Sequence, residues 1–171
     1  MNRGGLYYAM IPLLGVAVLL QTTALARIKV YGVKPDLVLL LVVIGALVYG
    51  GRSALVWAFV GGLGMDIFSG GPMGSSSLAL MAAALVAGVG HRTLSRFNVL
   101  VPLAATAAAT VIYALAYLAL LTVLQYLRVT YHQVLLVPTL QNVVIPAMLY
   151  NIALMVALIP LLNRIPESQD L

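Results

Sequence analysis

Cysteine is absent from the chain and charge is scarce. Without cysteine there is no disulfide framework and no thiolate metal site, and the redox compartment leaves no mark on the sequence. Only 8% of the 171 residues are charged, whereas 63% are hydrophobic. Soluble domains carry about 25% charged and about 45–50% apolar residues, so ionised groups here are too few to cover a water-facing surface. A soluble enzyme, a disordered regulator and a nucleic-acid module are excluded together. Acidic residues are scarcest, four against nine lysines and arginines, for a formal net charge of +5. Those basic residues stand singly between apolar runs, which marks membrane boundaries; binding to nucleic acid would need a clustered basic face. The composition therefore predicts an all-α integral membrane protein with one transmembrane domain, residues 1–171.

What is present is a succession of apolar runs. At roughly 20 residues per crossing the length accommodates about six helices. The spans are expected at about 6–26, 37–49, 53–68, 73–89, 99–127 and 134–162, a six-helix transmembrane bundle with both termini on one side. The first run follows Arg3 and contains Ala24-Leu25-Ala26, a signal-peptide feature, but its length and the runs after it favour an uncleaved span. The second has 13 residues, which as a helix reach about 20 Å of a hydrocarbon core about 30 Å thick. It must borrow flanking residues, thin the bilayer, or pack where other helices supply the depth. Gly50-Gly51-Arg52 reads as a tight turn joining the second and third helices in a hairpin, and Ser69-Gly70-Gly71-Pro72 ends the third. The last two runs are long enough to tilt or kink, the final one at Pro138 and Pro146. Span parity places Arg3, Arg52, Arg92, Arg96 and Arg164 on the side of the termini, with Arg27, Lys29, Lys34 and Arg128 opposite. Positive charge favours the cytoplasm, so that small excess leans toward cytoplasmic termini.

Two acidic residues lie beside the apolar runs, where carboxylates are costly. Asp36 stands where the second helix begins and can accept hydrogen bonds from its free N–H groups, as an N-cap or as part of a polar cluster with Asp66. Asp66 lies near the C-terminal end of the third span, where the helix dipole disfavours an anion. A bond to Lys34, or to backbone N–H groups near Gly74 to Ser76, would satisfy it. Ala54, Ala58, Gly62 and Asp66 recur every four residues on one face of the third helix. The fourth offers Ala79, Ala83, Ala87 and His91, and the fifth Ala104 and Ala108 with Thr106 and Thr110. Such bare faces serve close packing inside one bundle or the docking of a separate transmembrane helix. Thr139, Gln141, Asn142 and Asn151 surround Pro146 and can satisfy carbonyls it frees or bond between helices. Neither His91 nor His132 has a neighbour at ligand spacing, so no metal is expected. No serine has a base placed to activate it, and the stretch from Ser69 to Gly74 lacks the lysine of a phosphate loop. An enzyme or a cofactor is not expected.

The stretch Pro35-Asp36-Leu37 leading into an aliphatic run, followed by Gly51-Arg52, resembles the MreD family of bacterial rod shape-determining proteins. So does Gly61-Gly62-Leu63-Gly64-Met65-Asp66-Ile67-Phe68-Ser69-Gly70, continuing through Gly74 to Ser77-Leu78-Ala79-Leu80. Recognisable motifs cover about 35–80, while length and hydropathy match over the whole chain. The resemblance implies a non-enzymatic scaffold subunit of the cell-elongation machinery, lying beside MreC and acting with MreB, RodA and PBP2 in peptidoglycan synthesis. It also implies a likeness to the six-helix substrate-binding subunits of energy-coupling-factor transporters, with an outward-facing pocket. Lys34, Pro35, Asp36, Gly62, Asp66, Ser69, Gly70 and Gly74 are then the expected structural or partner-binding residues. Asp36 and Asp66 with Lys34 would fix the hairpin of the second and third helices against the fourth. The alternative function is a small-molecule-binding subunit of a vitamin-type transporter, for which Asp66, Ser75 to Ser77, Gln141 and Asn142 are the candidate polar groups.

Overall fold

The computed structural model describes residues 3–23, 35–93, 99–128 and 136–162. These are helical almost throughout: α1 (Arg3–Thr23), α2 (Leu37–Tyr49), α3 (Gly51–Ser69), α4 (Ser75–Gly88) and α5 (Leu100–Tyr126). The last helix, α6, opens with Leu136–Thr139, widens into a π-helical stretch over Leu140–Val144 and continues as Ile145–Leu162. A 3-10 turn, Val89–Thr93, extends the end of α4.

The shortest of the long apolar segments is the centre of the fold. α2 is aliphatic on every side and buries Val38, Leu39, Leu40, Val42, Val43, Ala46 and Leu47 among α1, α3, α4 and α5. A helix apolar all round is stable when neighbours enclose it, so the 13 residues of α2 need no lipid contact of their own. Trp57 of α3 closes the core, packing edge-on against Tyr49 with ring centroids 5.3 Å apart. α1 lies on α3, α5 on α4, and α6 on the outside of α5.

The expected six-helix transmembrane bundle does not hold. Among the described residues, two helices are long and apolar enough to cross a membrane: Leu100–Tyr126, and Gln141–Pro160 within α6. Met10–Thr23, Leu37–Tyr49 and Ser75–His91 are apolar but shorter. At 1.5 Å per residue, α2 reaches only about 20 Å of the roughly 30 Å required. α3 is longer, but Arg52, Asp66 and its glycines interrupt its apolar run. Apolar composition alone therefore overcounts crossings, because a short helix enclosed by others is as hydrophobic as a span. The two long helices are not enclosed: 17% of the first window and 22% of the second is buried. The core helix of a soluble protein would be mostly covered, so these faces are suited to lipid. Exposed Val56, Phe59, Phe68, Leu85, Leu115, Leu149 and Val156 continue the apolar exterior around the molecule, well beyond the scattered residues of an ordinary soluble surface.

α3 and α4 form the most extensive helix pair. Ala54, Ala58 and Gly62 on one helix, and Ala79, Ala83 and Ala87 on the other, are all buried. A methyl group on Gly62 would collide with the backbone of Ser76 and Ser77, and one on Gly88 with Gly51. The backbones thus touch at both ends of the pair, as small residues permit. Gly62→Ala is therefore expected to force the helices apart and lower stability by about 1–3 kcal/mol. Gly15→Ala, where nothing lies within 4 Å, should be neutral or slightly stabilising. Thermal unfolding of the two variants in detergent reads the difference, and equal melting temperatures would contradict the packing.

Candidate functional site

Asp66 closes the α3–α4 hairpin. α3 ends at Gly70, whose left-handed backbone (φ 68°) lets its N–H donate to the Asp66 carbonyl. α4 begins after Gly74, also left-handed at φ 89°. Any side chain in that region costs about 1–2 kcal/mol, which explains glycine at the turn. Glycine brings a deficit of its own: α4 starts without a side-chain cap on its N-cap residue, leaving its first N–H groups to find other acceptors. Asp66 supplies them from the preceding helix. The N–H of Gly74 donates to Oδ2 at 2.7 Å and that of Ser76 to Oδ1 at 3.1 Å. The carboxylate is 1% exposed. Its position at the end of α3 is unfavourable for an anion, but the start of α4 faces it with the positive end of a second dipole. Backbone groups of α4 thus satisfy it. The other partner expected from the sequence, Lys34, lies outside the described residues.

Asp36 caps a different helix and joins different neighbours. Its backbone is extended (φ −106°, ψ 90°), and Oδ1 accepts the N–H of Leu39 at 2.9 Å. Gln21 of α1 reaches the same oxygen with Nε2 at 3.0 Å, while its Oε1 accepts the N–H of Val38 at 3.1 Å. One amide therefore completes the cap of α2 from outside. The N–H of Asp36 donates to Asn151 Oδ1 at 2.9 Å, and Asn151 Nδ2 donates to Thr110 Oγ1 at 3.2 Å. Thr110 and Thr106 in turn donate to the carbonyls of Thr106 and Pro102, each at 2.8 Å. Asp36 thus ties α2 to α1 and α6, where the sequence pointed to α4. Tyr113 of α5 lies within electrostatic reach of both Asp36 and Asp66.

Of the other expected residues, Pro35 directly precedes the α2 cap, Gly62 lies at the α3–α4 backbone contact, and Gly70 and Gly74 make the turn. Ser69 is exposed on that turn, away from the buried bonds. Ser75, Ser76 and Ser77 are buried, and Ser77 Oγ donates to the Phe59 carbonyl at 3.1 Å. Gln141 and Asn142 face outward from α6. Sequence reasoning missed Gln21 and Tyr113. An amide inside an otherwise apolar first helix was the available signal for Gln21; Tyr113 resembles every other interfacial tyrosine until the fold places it.

Among the described residues the arrangement is helix capping and interhelical bonding. Residues 2–165 match the family model described as rod shape-determining protein MreD. The chain belongs to the MreD family. No curated protein and no solved structure matches it. MreD proteins are non-enzymatic subunits of the bacterial machinery that maintains cell shape during elongation, and they associate with MreC and other elongation components. Family membership and the two long apolar helices together make this MreD-family chain a membrane-associated protein of the inner membrane.

Removing the Asp66 carboxylate strands the buried N–H of Ser76 and the partly buried N–H of Gly74. Asp66→Ala is expected to lower stability by about 2–4 kcal/mol, since hydrogen bonds to a charged acceptor contribute most. Asp66→Asn should lose less, because one acceptor oxygen remains. Thermal unfolding with size-exclusion monodispersity measures both, and wild-type values for Asp66→Ala would contradict the remote cap.

Proposed function

We propose that the protein is a membrane scaffold that binds MreC through its transmembrane helix and the segment beside it, and thereby supports RodA and PBP2, with MreB engaged indirectly. In this reading the termini are cytoplasmic. Asp36 and Asp66, with Pro35, Gly62, Gly70 and Gly74, hold the shape that MreC recognises, and Ser69 borders the recognised surface at the turn.

The observation that carries the reading is how the polar groups are used. Both carboxylates accept helix N–H groups, Asp36 also a neighbouring amide, and Ser77 bonds the backbone of α3. These bonds join helices to one another. The exterior is broad and apolar, with Leu115 and Val123 on α5 and Leu149 and Val156 on α6 among its exposed residues. Such a surface suits a transmembrane helix, whose recognition rests on packing. The small-residue faces of α3 and α4 cover each other, so the docking surface lies on the outer faces. A solute-binding site would need several polar groups converging on a shared space, and no observation favours that alternative.

Affinity recovery of the full-length protein from membranes, with mass spectrometry of proteins and small molecules, tests the proposal. MreC is expected at near-stoichiometric level from the wild type and depleted with Asp66→Ala, whose hairpin is loosened. A stoichiometric small molecule without MreC would overturn the scaffold reading, as would undiminished MreC recovery by an Asp66→Ala protein of wild-type stability.

A further inference from the structure

We infer that Asn151 is a register pin: its two hydrogen bonds, and not the apolar packing around them, set the rotation of α6 about its own axis. α6 meets the bundle along a narrow seam. Val144, Asn151, Met155 and Ile159 are buried, whereas Ile145, Leu149 and Val156, about 100° further round the helix, are exposed. Apart from Asn151, the two sides are chemically alike. In lipid, apolar side chains gain no hydrophobic driving force by turning toward the protein. A rotation of α6 by about 100° would exchange one aliphatic row for another.

Asn151 breaks that equivalence. It is 1% exposed, and each end of its amide has a partner of the required type. The Asp36 N–H, a donor at the start of α2, meets Oδ1 at 2.9 Å. Thr110 Oγ1, whose own hydrogen points to the Thr106 carbonyl, accepts from Nδ2 at 3.2 Å. Rotating α6 would move the amide into lipid and leave the Asp36 N–H without this acceptor, a costly exchange in an apolar medium. Nor does the beginning of α6 fix the rotation of the rest. The π-helical stretch Leu140–Val144 bonds with a wider spacing, and Pro146 lacks an N–H, so register after them is set locally. Thr110 and Asp36 thus decide which face of α6 points away from the bundle. The inference concerns the fold alone and stands whichever partner, if any, occupies that face.

The cysteine-free chain permits a direct test. Single spin labels are placed at Leu149 and Val156, facing outward, and at Met155 and Ile159, facing the seam, in the full chain in lipid nanodiscs. Oxygen accessibility is read by power-saturation electron paramagnetic resonance. In the wild type the outward sites should be several-fold more accessible than the seam sites. In Asn151→Leu that contrast should collapse, or shift in phase by about 100° per residue of slip. A label pair at Val56 and Leu85 should keep its distance if α3 and α4 remain folded. An unchanged contrast in Asn151→Leu overturns the inference. Where Asn151→Leu disturbs the Val56–Leu85 distance or yields no folded protein, Thr110→Val, which keeps the Asp36 bond, is read instead. A reduced contrast then supports the pin and a wild-type contrast overturns it.

Discussion

The Asp66 carboxylate is held between the end of one helix and the beginning of the next, and the packing around α2 depends on that bond. The turn from α3 to α4 passes through left-handed backbone at Gly70 and Gly74, yet glycine leaves the start of α4 without a side-chain cap. Placing an anion one helix away supplies the cap and resolves the unfavourable dipole at the end of α3 with the favourable one of α4. The short helix α2 then lies against a rigid pair, with its own start capped by Asp36 and Gln21. Asp66 is satisfied by backbone N–H groups at the start of the next helix, which suits a chain with so few charges.

Inside and outside follow from that arrangement. Polar groups that would be costly in lipid are buried: Gln21, Asp66, Ser77 and Asn151 bond to other helices, while Thr106 bonds within α5. Apolar side chains occupy the exterior, most fully on the two longest helices. Neutral hydrogen bonds between helices contribute modestly to membrane-protein stability, but they are directional. They specify which helix faces meet where hydrophobicity cannot. For a family whose members act by association, a defined apolar outer surface is the functional product of a satisfied polar interior.

Much of the hairpin was legible in the sequence. Pro35-Asp36 marks a helix start because proline restricts the residue before it and aspartate accepts N–H groups. Gly70 and Gly74 flank a turn for the conformational reason that only glycine adopts their backbone angles freely. The four-residue spacing of Ala54, Ala58, Gly62 and Asp66 identifies one face, and the excess of carbonyls at a helix end explains why Asp66 requires an external donor. The number of crossings was not legible, because Leu37–Tyr49 has the composition of a span and the surroundings of a core helix. The partners of Asp36 were hidden for a different reason: Gln21 and Asn151 lie 15 and 115 residues away, and no local pattern links an amide to so remote a cap. Nor did the sequence disclose that the small faces of α3 and α4 cover each other, since close packing and partner docking demand the same residues.

Solution NMR of the protein in lipid nanodiscs tests the central claim most directly, through the backbone amides of Gly74 and Ser76. Amide protons bonded to a buried carboxylate should resonate downfield and exchange with solvent far more slowly than the adjoining turn amides of Gly71 and Met73. Amides of Gly74 and Ser76 that exchange as fast as those turn residues, without a downfield shift, would contradict the account.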